Sequence, residues 1–208
     1  MVFTSDHRPE SNRMERRRPG QLSLTASDEG LTSLAQQGDL QAFDELVSRH
    51  QDRVFALAYR MLADAEDAAD VQQEAFVRAW QSLKRFRGQA AFSTWLHKIT
   101  VNICLSRKRR RGYSEGQLPL EEERISSENS RGVACVERLH TTQAVRAALL
   151  TVPGHYRALL VLRDMEERSF EEIAEIVGST AQSVRTRLCR ARKLMREIIR
   201  PYIEEEEV

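Results

Sequence analysis

The chain has 208 residues, 41% hydrophobic and 30% charged, with a net charge of +1, enough for one or two modest cores. The near-neutral balance hides two basic clusters, Arg107 to Arg111 and Arg185 to Arg196, set against an acidic tail at Glu204 to Glu207, so local charge is the guide to partners rather than net charge. No apolar run approaches the roughly twenty residues of a membrane span, and the polar, Arg-rich start at Met1 to Gly20 lacks the apolar segment of a secretory signal, so a soluble, cytoplasmic protein without membrane insertion is expected.

Residues 1–27 mix Arg, Ser, Pro and Glu without periodicity and read as a disordered arm. Helical pattern begins near Leu31. Phe43, Leu46, Val47, His50, Val54, Ala58, Met61 and Leu62 recur at steps of three and four, one face of a long helix. A second helical stretch covers Asp64 to Leu83, with Ala69, Phe76, Ala79, Trp80 and Leu83 on its apolar side, and Gly88 in Phe86-Arg87-Gly88 is expected to end it. On this stretch Asp67, Asp70 and Glu74 stand at i, i+3 and i+7 beside Gln73. Acids early in a helix suit its dipole, and the same face could equally dock a basic partner. A third segment, Ser93 to about Arg109, carries Trp95, Leu96, Ile99, Ile103 and Leu105. In it Phe92, Trp95, Lys98 and Asn102 precede the basic run Arg107 to Arg111. Rings interleaved with basic and amide groups suit unpaired bases, although Trp95 could equally anchor a core.

Periodicity dissolves from Gly112 to about Arg131, where Gly, Pro, Ser and the acids Glu121 to Glu123 have linker composition, and it resumes at Val136. The last helical region runs to about Ile203 with breaks at Val152-Pro153-Gly154 and at Gly178. Within it, Ser169-Phe170-Glu171-Glu172 has the form of a capping box, Phe170, Ile173, Ala174 and Val177 make a short apolar stripe, and Gly178 allows a sharp turn. Ser179 with Gln182 is expected to cap the next helix, where Val184, Leu188, Ala191 and Met195 face inward. Arg185, Thr186, Arg187, Arg190, Arg192, Lys193 and Arg196 fill the free face. Two short helices with the second basic on its outer side form a helix-turn-helix suited to a major groove. The expected class is all-α: two small helical bundles joined by a flexible linker, the second containing the helix-turn-helix.

The ordered motifs match a known pattern. Asp70-Val71-Gln72-Gln73-Glu74-Ala75-Phe76-Val77-Arg78-Ala79-Trp80, Phe86-Arg87-Gly88 and Phe92-Ser93-Thr94-Trp95-Leu96 resemble region 2 of the extracytoplasmic-function sigma factors of bacterial RNA polymerase. Val152-Pro153 through Leu159, Leu162 and Arg163, then Ser169 to Ala174 and Val184 to Leu188, resemble region 4 of the same family. The likeness covers about residues 31–108 and 136–200, in order and with a linker between. It implies a region 2 domain at 28–111, a linker at 112–135, a region 4 domain at 136–203 and an acidic tail at 204–208.

What the resemblance implies is a factor that binds core polymerase and directs promoter recognition and melting at transcription initiation, as in stress responses. Asp67, Asp70, Gln73 and Glu74 would dock on the clamp helices of the largest polymerase subunit, and the second domain would meet the flap of the second largest. Trp95, Lys98, Asn102, Arg107, Lys108 and Arg109 would hold the −10 element, with Asn102 beside a flipped base. Ser183, Arg185, Thr186, Arg187 and Arg190 would face the −35 element. An anti-sigma factor is the expected inhibitory partner.

The alternative reading is a two-domain helix-turn-helix repressor or activator, disfavoured because the first domain shows neither an apolar pocket signature nor a heptad seam. An enzyme is not expected. His7, His50, His97, His140 and His155 show no ligand spacing, no glycine loop could cradle phosphate, and the acids on successive turns of one solvated helix make a poor metal cage. Cys104, Cys135 and Cys189 are too far apart for a zinc site or a disulfide framework. No metal, cofactor or small-molecule substrate is therefore expected.

Overall fold

A computed structural model describes the backbone of residues 26–110 and 141–204, and the side chains of 26–107 and 145–201. The arm, the linker and the acidic tail named above lie outside the described residues, apart from Ala26, Ser27 and Glu204. Among the described residues there is no strand. Helices α1 (Asp28–Gln36), α2 (Leu40–Leu62), α3 (Ala65–Ser82) and α4 (Phe92–Arg110) form the first unit; α5 (Thr141–Thr151), α6 (Gly154–Leu160), α7 (Phe170–Val177) and α8 (Ala181–Glu204) form the second.

Side-chain caps set most of the helix starts. Ser27 accepts from Gly30 N (3.3 Å), Asp39 from Gln41 N (2.9 Å) and Ala42 N (3.2 Å), and Asp64 from Asp67 N (2.8 Å), each satisfying an amide that the helix itself cannot. Ser27 starts α1 three residues before the apolar pattern does. The α3 helix ends at Ser82 and passes into a single 3₁₀ turn, Leu83–Arg85, so Gly88 (φ +66°) is not its cap but a left-handed residue in the following loop. That loop is pinned from outside: the Gln36 side chain donates to Leu83 O (3.0 Å) and Phe86 O (2.7 Å).

The reciprocal capping box at Ser169 is present, with Ser169 Oγ accepting from Glu172 N (3.1 Å) and Glu172 Oε2 accepting from Ser169 N (2.9 Å). Burial raises the Glu172 pKa, but the Ser169 amide and hydroxyl and the Arg168 guanidinium outweigh it and hold the carboxyl below its usual range. Gly178 (φ +66°) closes α7 in the left-handed conformation, which favours glycine. The next cap differs from expectation. Thr180, not Ser179, supplies the oxygen, accepting from Ser183 N at 3.2 Å, because the Ser179 amide is still bonded to Ala174 O as part of the turn.

Leu31, Leu46, Leu57, Leu83, Leu96 and Ile103 fill the first core, and Leu162, Ile173, Ile176 and Leu188 the second, all essentially inaccessible to solvent. Burying each such side chain contributes roughly 1.5–3 kcal/mol before entropy is counted. The two cores are continuous. Helix α7 lies along α4, α6 touches both α2 and α4, and α5 touches α2, so the two bundles are packed on each other. A second buried stripe on α4 (Thr94, His97, Val101, Cys104) runs beside the apolar face read from the sequence.

Candidate functional site

The loop between α3 and α4 and the first turns of α4 enclose a pocket of about 220 Å³, lined by Arg85, Phe86, Arg87, Gln89, Ala90, Thr94, Trp95 and Lys98, with Glu175 of α7 on its remaining side. Its aromatic wall is built from sequence neighbours. Trp95 packs on Phe86 (4.8 Å between ring centroids) and Phe92 (5.8 Å), and Phe86 meets Phe92 edge-on at 6.4 Å. The Gln36 hydrogen bonds fix the loop that carries Phe86. A ring to stack against, three exposed cations and a glutamine amide suit a base with its phosphate.

Of the residues expected here, Trp95 and Lys98 line the pocket. Asn102 is exposed one turn beyond Lys98 on α4, outside the pocket lining. Arg107 faces elsewhere: its Nη1 lies 3.2 Å from Asp67 Oδ1 and 3.2 Å from Asp70 Oδ2, and its Nη2 lies 3.8 Å from Glu74 Oε2. The side chains of Lys108 and Arg109 lie outside the described residues. Arg85, Arg87 and Gln89 were missed as site residues. Their signal is a polar, basic loop between two amphipathic helices, which the sequence offers as a helix end and, through Phe86-Arg87-Gly88, as part of the region 2 resemblance.

The acidic face of α3 is graded. Asp70 is well exposed, Gln73 is exposed and Glu74 is half-buried, whereas Asp67 is buried against Arg107 and presents almost no surface. Glu74 also pairs with Arg78 at 2.6 Å, and Val77 adds an exposed apolar side chain to the helix.

In the second unit Val184, Leu188 and Ala191 are buried as the pattern required, and Arg185, Thr186 and Arg190 are exposed on α8. Ser183 and Arg187 are half-buried. Arg185 is already engaged: its guanidinium lies 4.8 Å from the Phe170 ring centroid and 3.3 Å from Glu171 Oε1. Arg192 pairs with Asp164, which raises its pKa. The basic surface of α8 is thus tied to acids of its own unit at Arg185 and Arg192.

Burial pushes the Cys104 thiol up to about 12, which leaves it in the unreactive thiol form at neutral pH. Among the described residues, no group of three or more His, Cys, Asp or Glu side chains could hold a metal ion, and no helix is long and apolar enough to cross a membrane.

Comparison with known proteins separates the same two units. Residues 46–113 match the family model for Sigma-70 region 2, and residues 142–195 that for Sigma-70, region 4. The chain is 35% identical over 170 residues to the ECF RNA polymerase sigma factor SigE of Mycolicibacterium smegmatis, covering 81% of this chain and 66% of that one. It is 35% identical over 185 residues to the ECF RNA polymerase sigma-E factor of Haemophilus influenzae, covering 85% of this chain and 97% of that one. Among solved structures, CnrH in complex with the cytosolic domain of CnrY is 25% identical and superimposes with a TM-score of 0.62 over 84% of this chain and 97% of that one.

Proposed function

This chain belongs to the extracytoplasmic-function sigma factors of the Sigma-70 family, and on that premise we propose how its residues divide the work of starting transcription. As a sigma factor it acts with core RNA polymerase at promoters, in a family whose members are not enzymes. The exposed part of the α3 acidic face (Asp70, Gln73 and Glu74) meets the clamp helices of the largest polymerase subunit, while Asp67 holds Arg107 in place behind it. The pocket at the start of α4, with Trp95, Lys98, Arg85 and Arg87, takes an unstacked base of the −10 strand, and Asn102 reads an exposed edge beside it. Arg185, Thr186 and Arg190 on α8 enter the major groove at the −35 element, and the second unit rests on the flap of the second largest subunit.

The single observation that carries this division is the aromatic pocket rimmed by cations of the first unit, distinct from the basic exposed face of α8 in the second. One is shaped for a single base and the other for duplex. A repressor would need only the second. CnrH is held by the cytosolic domain of another protein, and an anti-sigma factor is the inhibitory partner we assign to this chain. Binding of the full chain to purified core polymerase tests the reading: a sigma factor forms a stable complex with core, whereas a repressor binds duplex DNA alone.

A further inference from the structure

One wall of the α4 pocket is held in place by a residue outside it. Gln36 is the last residue of α1, whose Leu31 and Ala35 are buried, so its side chain is delivered from a packed helix rather than from a loop. Its amide nitrogen donates to Leu83 O at 3.0 Å and to Phe86 O at 2.7 Å, across 47 and 50 residues of sequence. Both partners are carbonyls, which only accept, so the nitrogen of the amide and not its oxygen faces them. Leu83 O also receives Phe86 N at 3.0 Å, which closes the 3₁₀ turn, and the two Gln36 bonds tie that turn to α1. The Phe86 ring then lies 4.8 Å from Trp95, with Arg85 and Arg87 on either side of it in the chain, and all four line the pocket. Gln36 itself does not line it.

We infer that Gln36 is a positioning residue for strand capture: from α1 it sets Phe86, and with it Arg85 and Arg87, in the arrangement that takes an unstacked base. The inference rests on the assignment of that pocket to the −10 strand. The aromatic contact alone does not fix the loop. A ring pair tolerates offset and tilt, whereas two hydrogen bonds from one planar amide to two carbonyls fix both the direction and the depth of the turn. Beyond Arg87 comes Gly88 (φ +66°), and glycine has the widest conformational choice of any residue. The loop therefore needs a tether on its leading side, while the first turn of α4 holds the other, where Trp95 N donates to Ala91 O (3.1 Å). Freed of Gln36, the loop samples arrangements in which Phe86 and the two arginines are not together, and apparent affinity for a strand falls with the competent fraction. Base discrimination falls with it, because a site that is loose by about 1 Å no longer tells one base from another.

The test uses holoenzyme assembled from purified core polymerase and the full chain, with a fluorescent single-stranded 12-nucleotide DNA pool of random sequence. Gln36→Met keeps the shape of the side chain and removes both donors. Wild-type holoenzyme is expected to enrich one base in at least one position, beyond what core polymerase alone enriches. Gln36→Met holoenzyme is expected to bind the enriched strand about tenfold more weakly and to flatten that preference, at unchanged affinity of the chain for core. Phe86→Ala should also weaken strand binding, and the double variant should lose less than the product of the two single effects, since one residue acts through the other. Wild-type affinity and preference in Gln36→Met, or fully multiplicative losses in the double variant, would overturn the proposal. So would a parallel loss of core affinity and strand affinity, which marks a residue that only supports the fold. Should Gln36→Met lose helicity, Gln36→Asn, one methylene shorter at this half-buried position, carries the same expectation. A wild-type holoenzyme that enriches no base would overturn the assignment of the pocket itself, and the role of Gln36 with it.

Discussion

Arg107 Nη1 lies 3.2 Å from Asp70 Oδ2, so a cation expected on promoter DNA and an acid expected on polymerase are bonded to each other, across 37 residues of sequence. The same nitrogen reaches buried Asp67 at 3.2 Å. Asp67 is therefore the structural partner and Asp70 the exposed one.

Reversing Asp70 and Glu74 to lysine tests the docking face. Asp67 keeps Arg107 in position, and exposed ion pairs contribute about 1 kcal/mol or less, so helicity and melting temperature should hold. Affinity for core polymerase, titrated by fluorescence, should fall about tenfold or more, or roughly 1.4 kcal/mol. Unchanged affinity would remove this face from the interface.

Asn102→Ala tests strand capture. The side chain is exposed, so stability should change by no more than about 0.5 kcal/mol. Loss of its amide should cost about 1–3 kcal/mol of discrimination and reduce permanganate reactivity in the −10 region, while duplex binding through α8 persists. A variant that melts early and loses every activity together would show a structural role instead.

His97 predicts an acid-sensitive fold. It is 1% exposed, and burial lowers its pKa from 6.5 to about 4, with Arg168 and Arg53 adding to the effect against the backbone bond to Ser93 O (2.5 Å). The unfolded chain binds a proton near pH 6.5 that the folded chain refuses until about pH 4. This contribution to stability is thus complete above pH 6.5 and lost as pH falls toward 4, at about 1.4 kcal/mol per pH unit and about 3 kcal/mol in total. Urea unfolding between pH 7.5 and 4.5 should show that slope in the wild type and much less of it in His97→Gln. Equal slopes would contradict the assignment.

Arg185 and Arg190 separate base reading from phosphate holding. Arg185 must leave Glu171 and Phe170 to reach DNA, whereas Arg190 is exposed on the same helix. An alanine that removes a base contact should cost about 1–3 kcal/mol and relax preference at one upstream position; one that removes a phosphate contact should weaken all sequences alike and lower the salt slope by about one. Selection from a randomised upstream pool distinguishes them, and at least one of the two is expected to relax a position. Identical selected sequences from wild type and both variants would show that α8 does not read bases.

The features legible in the sequence are those set by neighbours in the chain. The Ser169–Glu172 box, the left-handed Gly178 and the inward row Val184, Leu188 and Ala191 follow from spacing and backbone preference. What escaped depends on residues far apart. Nothing local marks Arg157 as the buried cation that collects carbonyls from α5 and from Met61. The stripe Thr94, His97, Val101 and Cys104 is too polar to read as a core face, and lies buried in a helix packed by α2 and α3 as well as by α6 and α7. The pocket was half visible. Trp95 and Lys98 share a helix face, but Arg85, Arg87 and Gln89 join them only because Gln36 of α1 fixes the turn at Leu83 and Phe86.

The central claim is that one chain docks on polymerase through α3, captures a strand at α4 and reads duplex through α8. Sequencing the 5′ ends of transcripts made from fragmented genomic DNA by core polymerase, with and without the full chain, tests it most directly. New start sites that appear only with the chain, sharing one upstream and one −10 sequence at constant spacing, are the expected result. A set of start sites no different from that of core polymerase alone would contradict the account.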